Sequence, residues 1–282
     1  MPANRVALAE FLRSRRDRLK PAQAGVQPFP GARRVPGLRR EELAMLAGLS
    51  VDYYTRIEQG RQANISAEVL AALSRALQLD DIECAHLRDL AAPAGRRGSD
   101  ASTRQRADPG LLRVMTALDH LPVLLLGRRS AVLARTALLG AVLGREFEIG
   151  DSFVRYLFRD PLAQMRIVNW EVFAQAAVAG MRREAGCHPH DSLLHAEIAA
   201  LRRSDPKVDR WWQDQKVGDY TSAAKQIAHP DLGHLHFDIE HIIAPHDPDQ
   251  HLIVYTTPPD SPTALLLPML ANRELADSTL PT

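Results

Sequence analysis

One run limits what this chain can become more than any other: LRREELAMLAGLSVDYYTRIEQGR, residues 38–61. Leu38, Leu43, Leu46 and Ala47 recur at helical spacing. Glu41 and Glu42 fall in the first turn, where the helix dipole favours anions. Gly48 follows and suits a left-handed turn residue. Ser50 is a good N-cap for a second short helix, Val51 to Gln59, which stops at Gly60. Tyr54 and Ile57 take the inward positions of that helix, and Ala44 suits close contact between the two helices. Helix, glycine turn, short helix is the helix-turn-helix arrangement.

The flanks complete an all-helical module. Leu8, Phe11, Leu12 and Leu19 mark one face of a first helix ringed by Arg13, Arg15, Arg16 and Arg18, which ends before Pro21. A Pro/Gly-rich loop runs from Pro21 to Gly37. Ser66 caps a fourth helix with Leu70, Leu73 and Leu77 inward, and Asp80 or Asp81 starts a fifth carrying Ile82, Leu87 and Leu90. Charge sets this module apart. The 282 residues carry a net charge of only +1. Yet residues 1–106 hold +6 and residues 107–282 hold −5, with ten of the 11 histidines in the second part. Such asymmetry points to a nucleic-acid partner for the basic part. The breaker-rich, aperiodic stretch 92–109 reads as a linker. The expected domains are therefore 1–91, a linker over 92–109, a second domain over 110–272 and a tail over 273–282.

Residues 38–61 resemble the Cro/cI-type (XRE) helix-turn-helix regulators, with Glu58-Gln59-Gly60 matching the family's terminal signature. The partner implied is double-stranded DNA, with the second helix in the major groove and a homodimer on a two-fold site. Facing away from Tyr54 and Ile57 are Val51, Asp52, Thr55 and Arg56. Arg56 has the donors for guanine O6/N7, Asp52 can accept from cytosine N4, and Val51 can touch a thymine methyl. A second N-terminal cap is the other reading of Asp52. Ser50, Tyr53, Gln59, Arg61, Arg39 and Arg40 are placed to reach phosphates. Glu58 reads as a structural ion-pair partner for an N-terminal arginine rather than a DNA contact. The segment GARRVPGLRREE (31–42) narrows the resemblance to the MmyB-like regulators. Within it, Arg33 and Arg34 either reach DNA or belong to a solvated loop over the first helix.

The second module mixes periods. Leu111–Leu118 looks helical, Leu121–Gly127 looks like a buried strand, and 132–134 reads as its hairpin partner. Helices are predicted over 135–143, 152–157, 160–184, 191–203 and 206–215. In GHLHFDIEH (233–241), Leu235, Phe237 and Ile239 alternate with His234, His236, Asp238 and Glu240. A turn over 245–250 then leads into the strand 252–256, a hairpin signal. The pieces LPVLLLGRRSAVLA (121–134), YLFRDP (156–161), VNWE (168–171), SDPKVDRWW (204–212), KQIAHPDLGHLHFD (225–238) and LIVYTTPP (252–259) also resemble the MmyB-like family. The fold implied is an all-α N-terminal helix-turn-helix domain plus an α+β PAS-like C-terminal domain, a small antiparallel sheet covered by helices. The ligand implied is small and apolar, of fatty-acid type. Candidate pocket residues among the 15 aromatics are Phe158, Trp170, Phe173, Trp211, Phe237 and Tyr255, with plain core packing as the other reading of each. One departure stands out: Arg135-Thr136 occupies a place where the family often has Trp-Asn.

Enzymatic chemistry finds little footing. There is no GxSxG elbow, P-loop or HExxH, and no cofactor is expected. His234 and His236, with Asp238 and His241 near, offer one alternative: a DNA-tethered, metal-dependent enzyme. The other reading of those residues is the polar edge of an amphipathic strand, with no metal. Cys84 and Cys187 form no CxxC and fit a reducing compartment. No apolar run reaches the roughly 18 residues of a membrane span. The expectation is a cytoplasmic protein with no membrane partner.

Overall fold

A computed structural model describes residues 3–26, 35–62, 64–92, 105–218, 223–244 and 246–277. In chain order the elements are α1 (Ala3–Arg18), α2 (Arg40–Leu46), α3 (Val51–Glu58), α4 (Ala67–Ala76), α5 (Asp81–Ala91), α6 (Pro109–Ala117), β1 (Val123–Leu126), β2 (Val132–Arg135), α7 (Ala137–Leu143), α8 (Phe153–Arg159) and α9 (Pro161–Arg166). They continue with α10 (Trp170–Cys187), α11 (Ser192–Ser204), α12 (Pro206–Gln213), β3 (Ala223–His229), β4 (Gly233–Ala244), β5 (Asp247–Thr256) and α13 (Pro262–Asp277). By contacts the chain forms two units: Met1–Ala101 with Val178–Asp219, and Ser102–Ala177 with Tyr220–Thr282.

The first unit is helical. Leu8, Phe11 and Leu12 of α1 pack with Leu38, Leu43, Tyr54, Ile57, Leu73 and Leu87 into one apolar cluster. Leu46 is the departure from the expected face: it is exposed. The caps fall as the sequence predicts. Ser50 Oγ accepts from Tyr53 N at 3.2 Å and Ser66 Oγ from Val69 N at 3.3 Å. Asp80, rather than Asp81, caps α5, exchanging bonds reciprocally with Glu83. Gly48 has φ +66°, the left-handed conformation that turns the chain between α2 and α3. Gly37 answers a different need: a Cβ there would lie 2.2 Å from the Arg16 carbonyl oxygen. The loop end thus lies on α1 itself, where Leu38 N donates to Arg16 O and Arg16 Nη1 donates to Leu38 O. Arg33 and Arg34 lie outside the described residues. Residues 178–219 add α11, α12 and the end of α10 to this unit. Arg182 stacks its guanidinium 4.2 Å over Trp212 and donates to Gln215 Oε1 at 2.7 Å, and Arg15 donates to Gln215 O.

The second unit holds a five-stranded antiparallel sheet in the order β2-β1-β5-β4-β3. Both expected hairpins form. The β4–β5 turn is shorter than predicted, because pairing continues to Ala244↔Asp247. Buried Gln250 therefore sits in β5, bonded to Arg106 O, Asp108 N and Asp247 Oδ2. Along β4, Leu235, Phe237 and Ile239 are buried while His234, His236, Asp238 and Glu240 are exposed. The neighbouring pair β1 and β5 is buried on both faces. Val123, Leu125, Leu252 and Val254 pack against Leu111 of α6, and Leu126, Ile253 and Tyr255 point the other way. Two elements depart from the sequence reading. The helix predicted over 160–184 breaks into α9 and α10, because residues 167–169 bind β3: Val168 N donates to Gln226 O and Asn169 bonds both Ala224 O and Gln226 N. Neither β3 nor α13 was expected.

The first unit turns on Glu58. Its side chain is fully buried and takes a two-pronged bond from Arg16 (Nε 2.9 Å, Nη2 3.0 Å) and another from Arg40 (Nη2 2.9 Å). Burial alone would raise its pKa, but the bonds from Arg16 and the Arg40 charge outweigh it and hold the carboxyl below its ordinary range. Glu58→Gln keeps the shape and removes the charge. Breaking a buried pair costs about 3–5 kcal/mol, and denaturant unfolding of the variant should show a loss of that size. A carboxyl whose folded pKa is lowered stabilises fully above its unfolded value, near 4.5, and loses that contribution as pH falls through the lower folded value. Unfolding measured against pH should show this acid loss in the parent and not in Glu58→Gln.

Candidate functional site

Two places carry chemistry. The first is the outer face of α3. Tyr54, Ile57 and Glu58 are buried; Val51, Asp52, Arg56, Gln59 and Arg61 are exposed, with Tyr53 and Thr55 half-buried beside them. The helix is thus rotationally fixed by an apolar contact and an ion pair on its inner side. Arg56 lies 3.6 Å from Asp52, one helical turn back, and 5.9 Å over the Tyr53 ring. Both groups are open to water, so this weak pair leaves Arg56 free to move to another acceptor. Asp52 does not cap the helix; Ser50 does. Arg39 opens α2, where its N–H donates to Glu42 at 2.7 Å. Arg40 is held by Glu58 while remaining 43% exposed. The buried Tyr54 hydroxyl sits beside Glu58, and burial together with that carboxylate pushes the phenol far above its usual range.

The second place is a cavity in the sheet-containing unit, about 720 Å³ including space open to solvent. Its walls are Leu126, Ile253 and Tyr255 of the central strands, Ile239 and His241 of β4, Phe153, Val154 and Leu157 of α8, Val172, Phe173, Ala176 and Ala177 of α10, and Lys225 of β3. Of the aromatics singled out in the sequence, Phe173 and Tyr255 form part of the wall. Phe237 is buried against Tyr255 with ring centroids 5.6 Å apart. Phe158 and Trp170 pack on each other, and the Trp170 indole donates to Leu157 O at 2.7 Å. Trp211 lies on α12 in the first unit. Arg135 and Thr136 also stay off the wall: Arg135 bonds Phe147 O, and Thr136 ties Leu121 O to Val123 N.

Lys225 is the polar residue that sequence reasoning missed. It is buried, pairs across β3–β4 with Phe237, and donates to the Tyr255 hydroxyl at 2.9 Å. The rings of Phe173, Tyr255 and Phe153 stand 4.3, 4.9 and 5.7 Å from its nitrogen. Burial pulls its pKa down to about 7. His241, on the same wall, is lowered to about 4 by burial, by His251 and by Lys225. The signal for Lys225 was its inward parity with Ile227 in KQIAH, which becomes visible only once the segment is known to be a strand. His241 shares the inward parity of Ile239 and so is separated from His234 and His236, which stay on the exposed face. Among the described residues, no group of three or more His, Cys, Asp or Glu side chains is arranged to hold a metal ion.

Lys225 makes the unit's stability depend on pH. Its folded pKa is lowered, so between about pH 7 and 10.5 the unfolded chain holds a proton that the folded amine releases, and stability rises with pH across that window. Lys225→Met should be more stable than the parent at pH 7, by on the order of 3 kcal/mol, and its unfolding free energy should lack this rise.

The chain matches two family models. Residues 7–87 match a helix-turn-helix domain, and residues 107–270, more than half of the chain, match the MmyB-like transcription regulator ligand binding domain. No curated protein matches the sequence. No described helix is long and apolar enough to cross a membrane. A DNA-binding helix-turn-helix joined to a ligand-binding domain is the make-up of a ligand-sensing transcription regulator, and the chain belongs to the MmyB-like transcription regulators.

Proposed function

We propose that this chain is a sequence-specific regulator of the XRE branch that binds a two-fold DNA site as a homodimer and answers to a small apolar, fatty-acid-like ligand. The domains of sequence are 1–91 and 110–272, joined by 92–109. Arg56, Asp52, Val51 and Thr55 read base edges; Ser50, Tyr53, Gln59, Arg61, Arg39 and the open side of Arg40 contact phosphates. The observation that carries the ligand reading is the composition of the cavity wall. Among the described residues thirteen side chains line it, and of these Lys225, His241 and Tyr255 alone carry polar atoms. A wall of Leu, Ile, Val, Phe and Ala favours a hydrocarbon body by the area it removes from water. Binding at this site regulates DNA affinity to the extent that the ligand prefers one arrangement of the chain over another.

Two measurements test this reading. DNA recovered from a random pool by the full-length protein gives a site; Arg56→Ala should then lose about 1–3 kcal/mol of affinity for that site while binding random DNA as before. An unchanged preference would remove α3 from its assigned role. Binding should also weaken steeply with salt, as phosphate contacts require. For the cavity, solvent extraction and mass analysis of purified protein should yield a small amphiphile in near-stoichiometric amount. Recovery of a polar metabolite instead would contradict the apolar reading.

A further inference from the structure

Lys225 has no obvious structural purpose. A lysine taken out of water normally meets a carboxylate, because desolvation of an ammonium is otherwise costly. Here the nitrogen has three donors. One goes to the Tyr255 hydroxyl, and no other hydrogen-bond partner for it occurs among the described residues. Among the described residues, no Asp or Glu lines the cavity. The groups facing the amine are Tyr255 of β5 and His241 of β4, with Phe153 of α8 and Phe173 of α10 as rings; Tyr156 of α8 acts electrostatically on Tyr255, and His251 of β5 on His241. Both phenols are pushed well above their usual range by burial, and His241 is neutral above about pH 4. Asp238 and Glu240 of β4 lie on the opposite, exposed face of the sheet. None of the facing groups therefore supplies a negative charge at neutral pH.

We propose that Lys225 is the residue that determines ligand specificity in this cavity: it takes the carboxylate head of an amphiphile whose tail lies along Leu126, Val172, Phe173, Ala176 and Ile253. This rests on the reading of the cavity as the ligand site and adds which end of the ligand is read, and by what. The carboxylate supplies the missing counter-charge and accepts the two unused N–H donors of the ammonium, a charge-assisted contact in a water-poor setting. Tyr255, hydrogen-bonded to the same nitrogen, is the positioning residue. Proton linkage follows. In the empty cavity the amine titrates near pH 7, and a bound carboxylate raises that value. Acid ligands therefore bind with uptake of a proton once the pH exceeds 7. Neutral ligands gain nothing from the charge and bind without that uptake.

The test uses the full-length protein, stripped of endogenous lipid, with decanoate and 1-decanol as probes in calorimetric titrations from pH 6 to 8.5. Decanoate affinity should fall about thirtyfold across that range, and decanol affinity should stay flat. At pH 6.5, Lys225→Met should weaken decanoate at least tenfold and leave decanol unchanged. The pH profile of the unmodified protein carries the test by itself should the variant fail to fold. Equal, pH-independent binding of both probes would overturn the role of Lys225 while leaving an apolar ligand site standing. Failure of both probes to bind would overturn the ligand-site reading and this inference with it.

Discussion

A carboxylate without water organises the DNA-binding part of this protein. Glu58 ends α3 and is gripped by Arg16 of α1 and Arg40 of α2, so three helices meet at one ion-pair cluster. The grip fixes more than distance. With Tyr54 and Ile57 buried on the same side, it sets the rotation of α3 and thereby presents Val51, Asp52 and Arg56 outward. Gly37 belongs to the same device, because only a residue without a Cβ lets the incoming loop lie on the Arg16 carbonyl. The arginine-rich signature before the helix-turn-helix therefore has a structural share: one of its arginines holds the carboxylate, and its glycine permits the close approach.

The sheet-containing unit obeys the opposite rule. Where Glu58 is buried with its counter-charges, Lys225 is buried with none among the described residues. A folding sequence with no further demand on it would place Met or Leu at that strand position, since an unpaired ammonium in an apolar setting lowers stability. Retaining an uncompensated charge at a cavity is the kind of local cost found at functional sites. The wall around it is otherwise hydrocarbon and aromatic. The cavity thus offers a long apolar surface and one polar end, the two halves of an amphiphile.

Much of this was legible in the sequence, for identifiable reasons. The helix-turn-helix was readable because caps, a glycine turn and inward Tyr54 and Ile57 coincide within a short span, and Glu58 could be assigned to an arginine partner beforehand. The hairpins were readable because Leu235, Phe237 and Ile239 alternate strictly with polar residues. β3 was not, since its inward positions carry Lys225, Ile227 and His229 and its outward ones include two alanines, which leaves no contrast of period two. The break between α9 and α10 was hidden for a related reason: residues 167–169 leave the helix to pair with β3, a contact made by a strand distant in sequence. Aromatic content pointed at the cavity only in part. Phe173 and Tyr255 line it, while Phe158, Trp170 and Phe237 fill space around it, because ring size alone does not distinguish a wall from a core.

If α3 reads DNA and the cavity holds the ligand, occupancy of the cavity changes DNA binding. The most direct measurement is the affinity of lipid-stripped full-length protein for its selected DNA site, with and without saturating decanoate, at fixed salt and pH 6.5. The two affinities should differ by roughly tenfold or more, within the usual span of coupling between two sites. Equal affinities under conditions where decanoate is shown to be bound would contradict it.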